Sequence, residues 1–150
     1  MWALWLTVQW SASQLLLLMR SLNGSDSPMS HSLTDILPAP ELDLLSPMLT
    51  QQGDTWTAEF RGLKLRTALQ PIYSISHKRV VGYEALIRAF DTDNSAVLPI
   101  HLFGLPASNA ENLLLDRLCR YLHNRNYSGF HDQLNWLFLN VSPRVVSAGN

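Results

Sequence analysis

The stretch VVGYEALIR, residues 80–88, is mostly apolar, as in a buried strand, and yet carries two charged side chains. Because side chains alternate along a strand, Glu84 and Arg88 share one face with Gly82 and Leu86. The other face is wholly apolar and is formed by Val81, Tyr83, Ala85 and Ile87. The pattern predicts a strand that packs against helices on one side and presents charged groups on the other.

The residues just before this stretch extend the prediction to a hairpin. LKLRTALQPIYS, residues 63–74, is typical of a strand, and SHKR, residues 76–79, is a polar turn. So short a connection between two strands favours an antiparallel pair.

A helix and a third strand follow. Ser108 and Glu111 have the spacing of a capping box, and leucines at helical spacing continue from it at positions 114, 115, 118 and 122. Cys119, beside that stripe, is predicted to lie in the core. The helix is predicted to break within NYSGFHD, residues 126–132, before LNWLFLNVS, residues 134–142, which is apolar on both faces, as in a parallel sheet or barrel. The order strand, strand, helix, strand predicts the α/β class.

Asn140 is the polar residue near the carboxyl end of that third strand, where α/β folds place their ligand-binding groups. Glu84 and Asn140 would offer carboxylate and amide oxygens, which suit Mg²⁺ or Mn²⁺ better than zinc. The alternative is that Glu84 and Arg88 are solvated charges on an edge strand, and that Asn140 begins a turn.

The length, net charge and cysteine content of the chain limit which other functions it can have. The chain has 150 residues, enough for one ordinary domain, and its net charge of −1 gives no reason to invoke a nucleic acid polymer. A single cysteine excludes an intrachain disulfide and a cysteine zinc cluster.

The amino-acid composition and hydrophobic pattern of the chain change near Trp56. Residues 1–55 are predicted to be an apolar segment and a linker, with short helices within 41–52, and residues 56–150 to be the domain. Residues 1–19 carry no charge, but they lack a basic start and are diluted by Thr, Gln and Ser. We therefore expect a cytoplasmic protein, and a membrane anchor through residues 1–19 is the alternative.

Three blocks in this order resemble the beginning of an EAL domain, the bacterial cyclic di-GMP phosphodiesterase module. They are Gln70-Pro71-Ile72, the stretch 82–88 with Glu84-Ala85-Leu86 at its centre, and Asn140-Val141-Ser142-Pro143. The resemblance covers about residues 60–145 and departs from the family at Ala89 and Phe90, where Trp often follows the signature.

The resemblance implies a modified TIM-like (β/α)₈ barrel with an antiparallel first strand. It implies metal-dependent hydrolysis of cyclic di-GMP to pGpG, with Mg²⁺ or Mn²⁺ held by Glu84 and Asn140. It also implies that Gln70, Leu86 and Arg88 line the substrate site, and it leaves open whether the protein forms a homodimer and whether further regulatory domains accompany it.

Such a barrel needs roughly 200 residues or more, whereas residues 56–150 reach only to about the third strand. We therefore expect an N-terminal portion of the barrel, and no hydrolysis of cyclic di-GMP by the 150-residue chain alone. Two alternatives are a non-catalytic EAL-like module that binds cyclic di-GMP or a protein partner, and an unrelated small α/β domain that matches by chance.

Overall fold

The computed structural model describes residues 43–129 and 136–140, all within the compact unit Ser32–Asn150. A 3₁₀ helix, Ser46–Met48, leads into the strands β1 (Leu49–Gln52), β2 (Thr55–Phe60), β3 (Leu63–Ser74), β4 (Arg79–Phe90) and β5 (Ala96–Val97). The helices α1 (Pro99–Leu102) and α2 (Asn109–Ser128) follow, and then β6 (Trp136–Leu139). The α/β class is therefore confirmed, and the barrel stays a prediction.

The six strands form one mixed sheet. Strands β1 to β4 are antiparallel neighbours in chain order. The other edge of β4 serves two partners, because β5 pairs antiparallel with its last residues and β6 pairs parallel with residues 82–85. The predicted hairpin is confirmed as β3 and β4, and the third strand joins them through a parallel pairing that the intervening α2 makes possible.

The first hairpin of the sheet differs from the sequence expectation. Residues 41–52 suggested short helices, which Ser46–Met48 confirms in part, but residues 49–52 form β1 and pair with β2 from Leu49↔Ala58 to Gln52↔Thr55. Gly53 has a φ of +60° at the first of the two loop residues, where a type II′ hairpin turn requires glycine. This hairpin spans the boundary predicted between residues 55 and 56.

Helix α2 covers one face of the sheet and builds the core with it. Leu65, Ile87 and Ala89 of the sheet are buried in one cluster with leucines of the helix, namely Leu115, Leu118 and Leu122. Cys119 lies in this cluster as predicted, and burial raises the pKa of its thiol to about 12. The thiol is therefore a packing group at physiological pH.

Ser108 caps the start of α2 as predicted, and the Glu111 carboxylate reaches the Ala107 N–H in place of the Ser108 N–H of a full capping box. The Ser108 Oγ accepts the Glu111 N–H at 3.2 Å, and the Glu111 carboxylate accepts the Ala107 N–H at 2.6 Å and two bonds from Arg61 at 2.7 and 2.8 Å. The Arg61 guanidinium and the Ala107 N–H hold the pKa of Glu111 below its usual value.

The helix ends within the predicted break, residues 126–132. It continues through Asn126 to Ser128, with Gly129 at the C-cap. No helix within residues 43–129 and 136–140 is long and apolar enough to cross a membrane, and residues 1–19 lie outside this part.

Candidate functional site

All five residues singled out in the sequence lie on the sheet face opposite α2, which we call the Glu84 face. It carries alternate residues of three neighbouring strands, because Gln70 is in register with Glu84 and Glu84 with Phe138. Its members on these strands are Lys64, Arg66, Ala68, Gln70 and Ile72 of β3, Gly82, Glu84, Leu86, Arg88 and Phe90 of β4, and Trp136, Phe138 and Asn140 in and just after β6.

Glu84 and Asn140 are in direct contact. The Asn140 Nδ2 donates a hydrogen bond of 2.9 Å to the Glu84 Oε1. The parallel pairing produces this contact, since Leu139 lies beside Ala85 and the next residue along β6 follows β4 in the same direction. Two residues far apart in the chain thus meet at the carboxyl end of β6, beside the middle of β4.

The remaining predicted residues surround this pair. Gln70 is exposed directly opposite Glu84 on β3, and Leu86 is half-buried two residues farther along β4. Arg88 is exposed at the carboxyl end of β4, where its Nη1 donates to the Ile87 carbonyl at 3.0 Å. The face therefore presents the Glu84 carboxylate with the Gln70 and Asn140 amides beside it. The Arg88 guanidinium lies farther along β4, beyond the Leu86 side chain.

The donor chemistry of the Glu84–Asn140 pair fits a hard divalent cation. A carboxylate oxygen and an amide oxygen are ligands that Mg²⁺ accepts, and Mg²⁺ commonly keeps several waters beside one or two carboxylates. A half-turn of the Asn140 amide would bring its Oδ1 toward an ion held by Glu84. In the part of the chain described, no group of three or more His, Cys, Asp or Glu is placed to hold a metal.

Gly82 has a role on this face that the sequence did not reveal. A Cβ at this position would lie 2.6 Å from the Phe138 Cε2 and 2.8 Å from the Trp136 carbonyl oxygen. Glycine therefore lets the Phe138 ring pack directly over β4, next to Glu84 in the strand. A glycine inside a strand is the available sequence signal, since it often marks a close approach of another chain segment.

Arg66 is the second residue that sequence reasoning missed. It is the cross-strand partner of Arg88, and its Cζ lies 4.9 Å above the centre of the Phe90 ring. Both arginines are exposed. Counting the register outward from the SHKR turn would have paired Arg66 with Ile87, because an irregularity between Ile72 and Tyr73 shifts the pairing by one residue.

The opposite face carries a polar network that joins α2 to the sheet. The Asn126 side chain accepts the Trp56 N–H at 2.8 Å and donates to the Trp56 carbonyl at 3.0 Å, so it acts as a strand partner for β2. It also donates to the Thr67 hydroxyl at 3.2 Å, which contacts His123 Nδ1 at 2.9 Å. Burial lowers the pKa of His123 to about 4, so its imidazole is neutral at physiological pH.

No protein-family model matches the chain, and neither a curated protein nor a solved structure matches it. The function is therefore argued from the residues of the Glu84 face and their geometry.

Proposed function

We propose that the Glu84 face is the metal- and phosphate-binding side of an EAL-type site for cyclic di-GMP, in a family whose reaction is hydrolysis of this dinucleotide to pGpG. The observation that carries the proposal is the 2.9 Å contact between Glu84 and Asn140 across parallel strands. These are the residues that the sequence blocks offered as metal ligands, and they come from blocks separated by the whole of α2.

Each side chain of the site would have a separate role that follows from its chemistry. Glu84 and Asn140 would hold Mg²⁺ or Mn²⁺, which when bound neutralises charge on phosphate oxygens and lowers the pKa of a water. Gln70, the cross-strand partner of Glu84, would hydrogen-bond the nucleotide. Arg88 presents a planar fork of donors that matches two phosphate oxygens, and Leu86 supplies an apolar contact between these groups.

The strand arrangement supports the same proposal at the level of the fold. The first strand of an EAL barrel runs antiparallel to the next, as β3 does to β4, and the following strand returns parallel after a helix, as β6 does. In this proposal β3, β4, α2 and β6 are the beginning of the modified TIM-like barrel.

Metal and nucleotide binding test the proposal on the purified 150-residue chain. Mn²⁺ binding is followed by electron paramagnetic resonance, and cyclic di-GMP binding by equilibrium dialysis with and without Mn²⁺. We expect binding of both by the wild-type protein and loss of both in Glu84→Gln. Glu59→Gln is the matched control, since Glu59 is an exposed glutamate on β2, two strands away from Glu84 in the sheet. Absence of nucleotide binding by the wild-type protein would overturn the proposal.

A second candidate is a non-catalytic module that binds cyclic di-GMP, and it is favoured by the same contact, because two ligands and an arginine suffice for binding. Chromatographic assay for pGpG tests the catalytic alternative directly. Mn²⁺-dependent pGpG that disappears in Glu84→Gln would identify an enzyme and overturn the expectation of an inactive chain, whereas binding with intact cyclic di-GMP agrees with both candidates.

A further inference from the structure

We propose that Arg66 and Arg88 together form a two-arginine clamp for one phosphodiester of a cyclic dinucleotide, while a metal ion held by the Glu84–Asn140 pair would take the other. The inference rests on the proposed function and adds to it a residue, Arg66, that lies outside the three sequence blocks.

The first step is the register. Arg66 and Arg88 are direct cross-strand partners, so their Cβ atoms are about 5 Å apart on the same face of the sheet. Like charges placed directly opposite each other in a sheet are destabilising. A bound anion between the two guanidinium groups would convert this repulsion into attraction.

The second step is the surrounding charge. Lys64 lies on the same face two residues before Arg66, and its Nζ donates to the Gln52 Oε1 at 3.1 Å. The acid nearest in sequence, Asp91, is engaged elsewhere, since its carboxylate accepts the N–H groups of Asp93 and Ser95 at 3.0 and 2.8 Å. Within residues 43–129 and 136–140, no carboxylate forms an ion pair with Arg66 or Arg88.

The third step is positioning. The Arg66 guanidinium stacks over the Phe90 ring at 4.9 Å, and the Arg88 Nη1 is tethered to the Ile87 carbonyl. Each contact fixes the side chain while leaving most of its N–H donors free for a ligand. Both arginines are exposed, so an anion can reach them.

The clamp is separated from the Glu84–Asn140 pair along β4. Arg88 lies four residues beyond Glu84, about 13 Å along β4 at the strand rise, toward the carboxyl ends of β4 and β6. A cyclic dinucleotide carries two phosphodiesters on one ring, so it can address two anion-binding points together. Arginine forks suit the oxygens of a phosphodiester because they donate two parallel hydrogen bonds.

The test is a double-mutant cycle on cyclic di-GMP affinity, measured by equilibrium dialysis in Mn²⁺ with Arg66→Gln, Arg88→Gln and the double variant. Arg79→Gln is the matched control, because Arg79 is an exposed arginine at the other end of β4. We expect each single change in the clamp to weaken binding roughly tenfold, and the double variant to lose less than the product of the two, since both arginines hold one group. The control should stay within about twofold of wild type.

Mn²⁺ affinity separates the two proposals. It should be unchanged in Arg66→Gln, because the metal is held by Glu84 and Asn140. If the wild-type protein binds the nucleotide and Arg66→Gln binds as Arg79→Gln does, the clamp is wrong and the proposed function stands. If the wild-type protein binds no cyclic di-GMP, both proposals fall.

Discussion

At the scale of single residues, Gly82 shows how one absent side chain shapes the candidate site. The Phe138 ring occupies the space that a Cβ would need, with a separation of 2.6 Å to the Cε2 atom. The ring belongs to the strand that carries Asn140, so this close packing and the Glu84–Asn140 contact depend on the same approach of β6 to β4. A larger residue at 82 would push the two strands apart where the metal ligands meet.

Gly82→Ala is therefore expected to lower the free energy of unfolding by about 1–3 kcal/mol, the usual range for overpacking. Urea denaturation measures this. Gly129→Ala is the control, because Gly129 has a φ of −80° and its nearest neighbour to an added Cβ is 3.7 Å away. Equal stability of the two variants would contradict the tight contact over Gly82.

His123 makes a pH-dependent contribution to stability. Its pKa is lowered by burial from 6.5 to about 4, so the unfolded chain binds a proton that the folded chain does not. Stability from this group is complete above about pH 6.5 and is lost as the pH falls toward 4. The loss is on the order of 3 kcal/mol across that window.

Urea denaturation at pH 7.5 and pH 4.5 measures this contribution as a difference between variants. The His123→Asn protein should lose less stability between the two pH values than wild type does, whereas His101→Asn, at an exposed histidine, should behave as wild type. A wild-type loss that His123→Asn reproduces in full would assign the acid sensitivity to other groups.

At the scale of elements, α2 is held at its start by side chains that satisfy backbone donors. Ser108→Ala removes the acceptor of the Glu111 N–H and should cost about 1 kcal/mol of stability, as for other N-caps. Ser108→Asp keeps an acceptor and should stay within a few tenths of wild type. Thermal denaturation of the three proteins distinguishes capping from packing, because a loss in both variants would point to packing.

The elements that the sequence predicted are those whose signals are local. The SHKR turn set the β3–β4 hairpin, the Ser108–Glu111 spacing set the start of α2, and an apolar run marked β6. Strand β1 was missed because only Leu49 of its four residues is buried, so the strand shows no alternation. Its pairing comes from the Gly53 turn and from β2.

The candidate site divides in the same way. Glu84 and Asn140 were predicted because each is a polar residue in an apolar strand. Arg66 and Phe138 were missed as members of the site because their roles depend on the register with β4, which a single strand does not encode. Asn126 is a further case, since as a polar residue in a predicted helix break it gave no sign that it would substitute for a strand partner of β2.

At the scale of the whole molecule, a metal ion held by Glu84 and Asn140 would link β4 and β6, the strands that precede and follow α2 in the chain. Binding to the folded state alone raises stability by about 2.7 kcal/mol when the ion is at 100 times its Kd. Mn²⁺ should therefore raise the Tm of the wild-type protein, and chelation should reverse the rise. Glu59→Gln should respond as wild type and Glu84→Gln should not, and an equal rise in both variants would place the ion elsewhere.

Strands β5 and β6 pair with different parts of the same edge of β4, and this arrangement has a consequence for folding during synthesis on the ribosome. Strands β3 and β4 are joined by a short turn and can pair as soon as both emerge, but β6 emerges only after the whole of α2. At ordinary translation speeds this interval lasts on the order of seconds. During that time the middle of the β4 edge awaits its partner, and nascent chains on neighbouring ribosomes could pair with it. Slow translation through α2 would lengthen this exposure, whereas chaperone binding would protect the edge until β6 arrives.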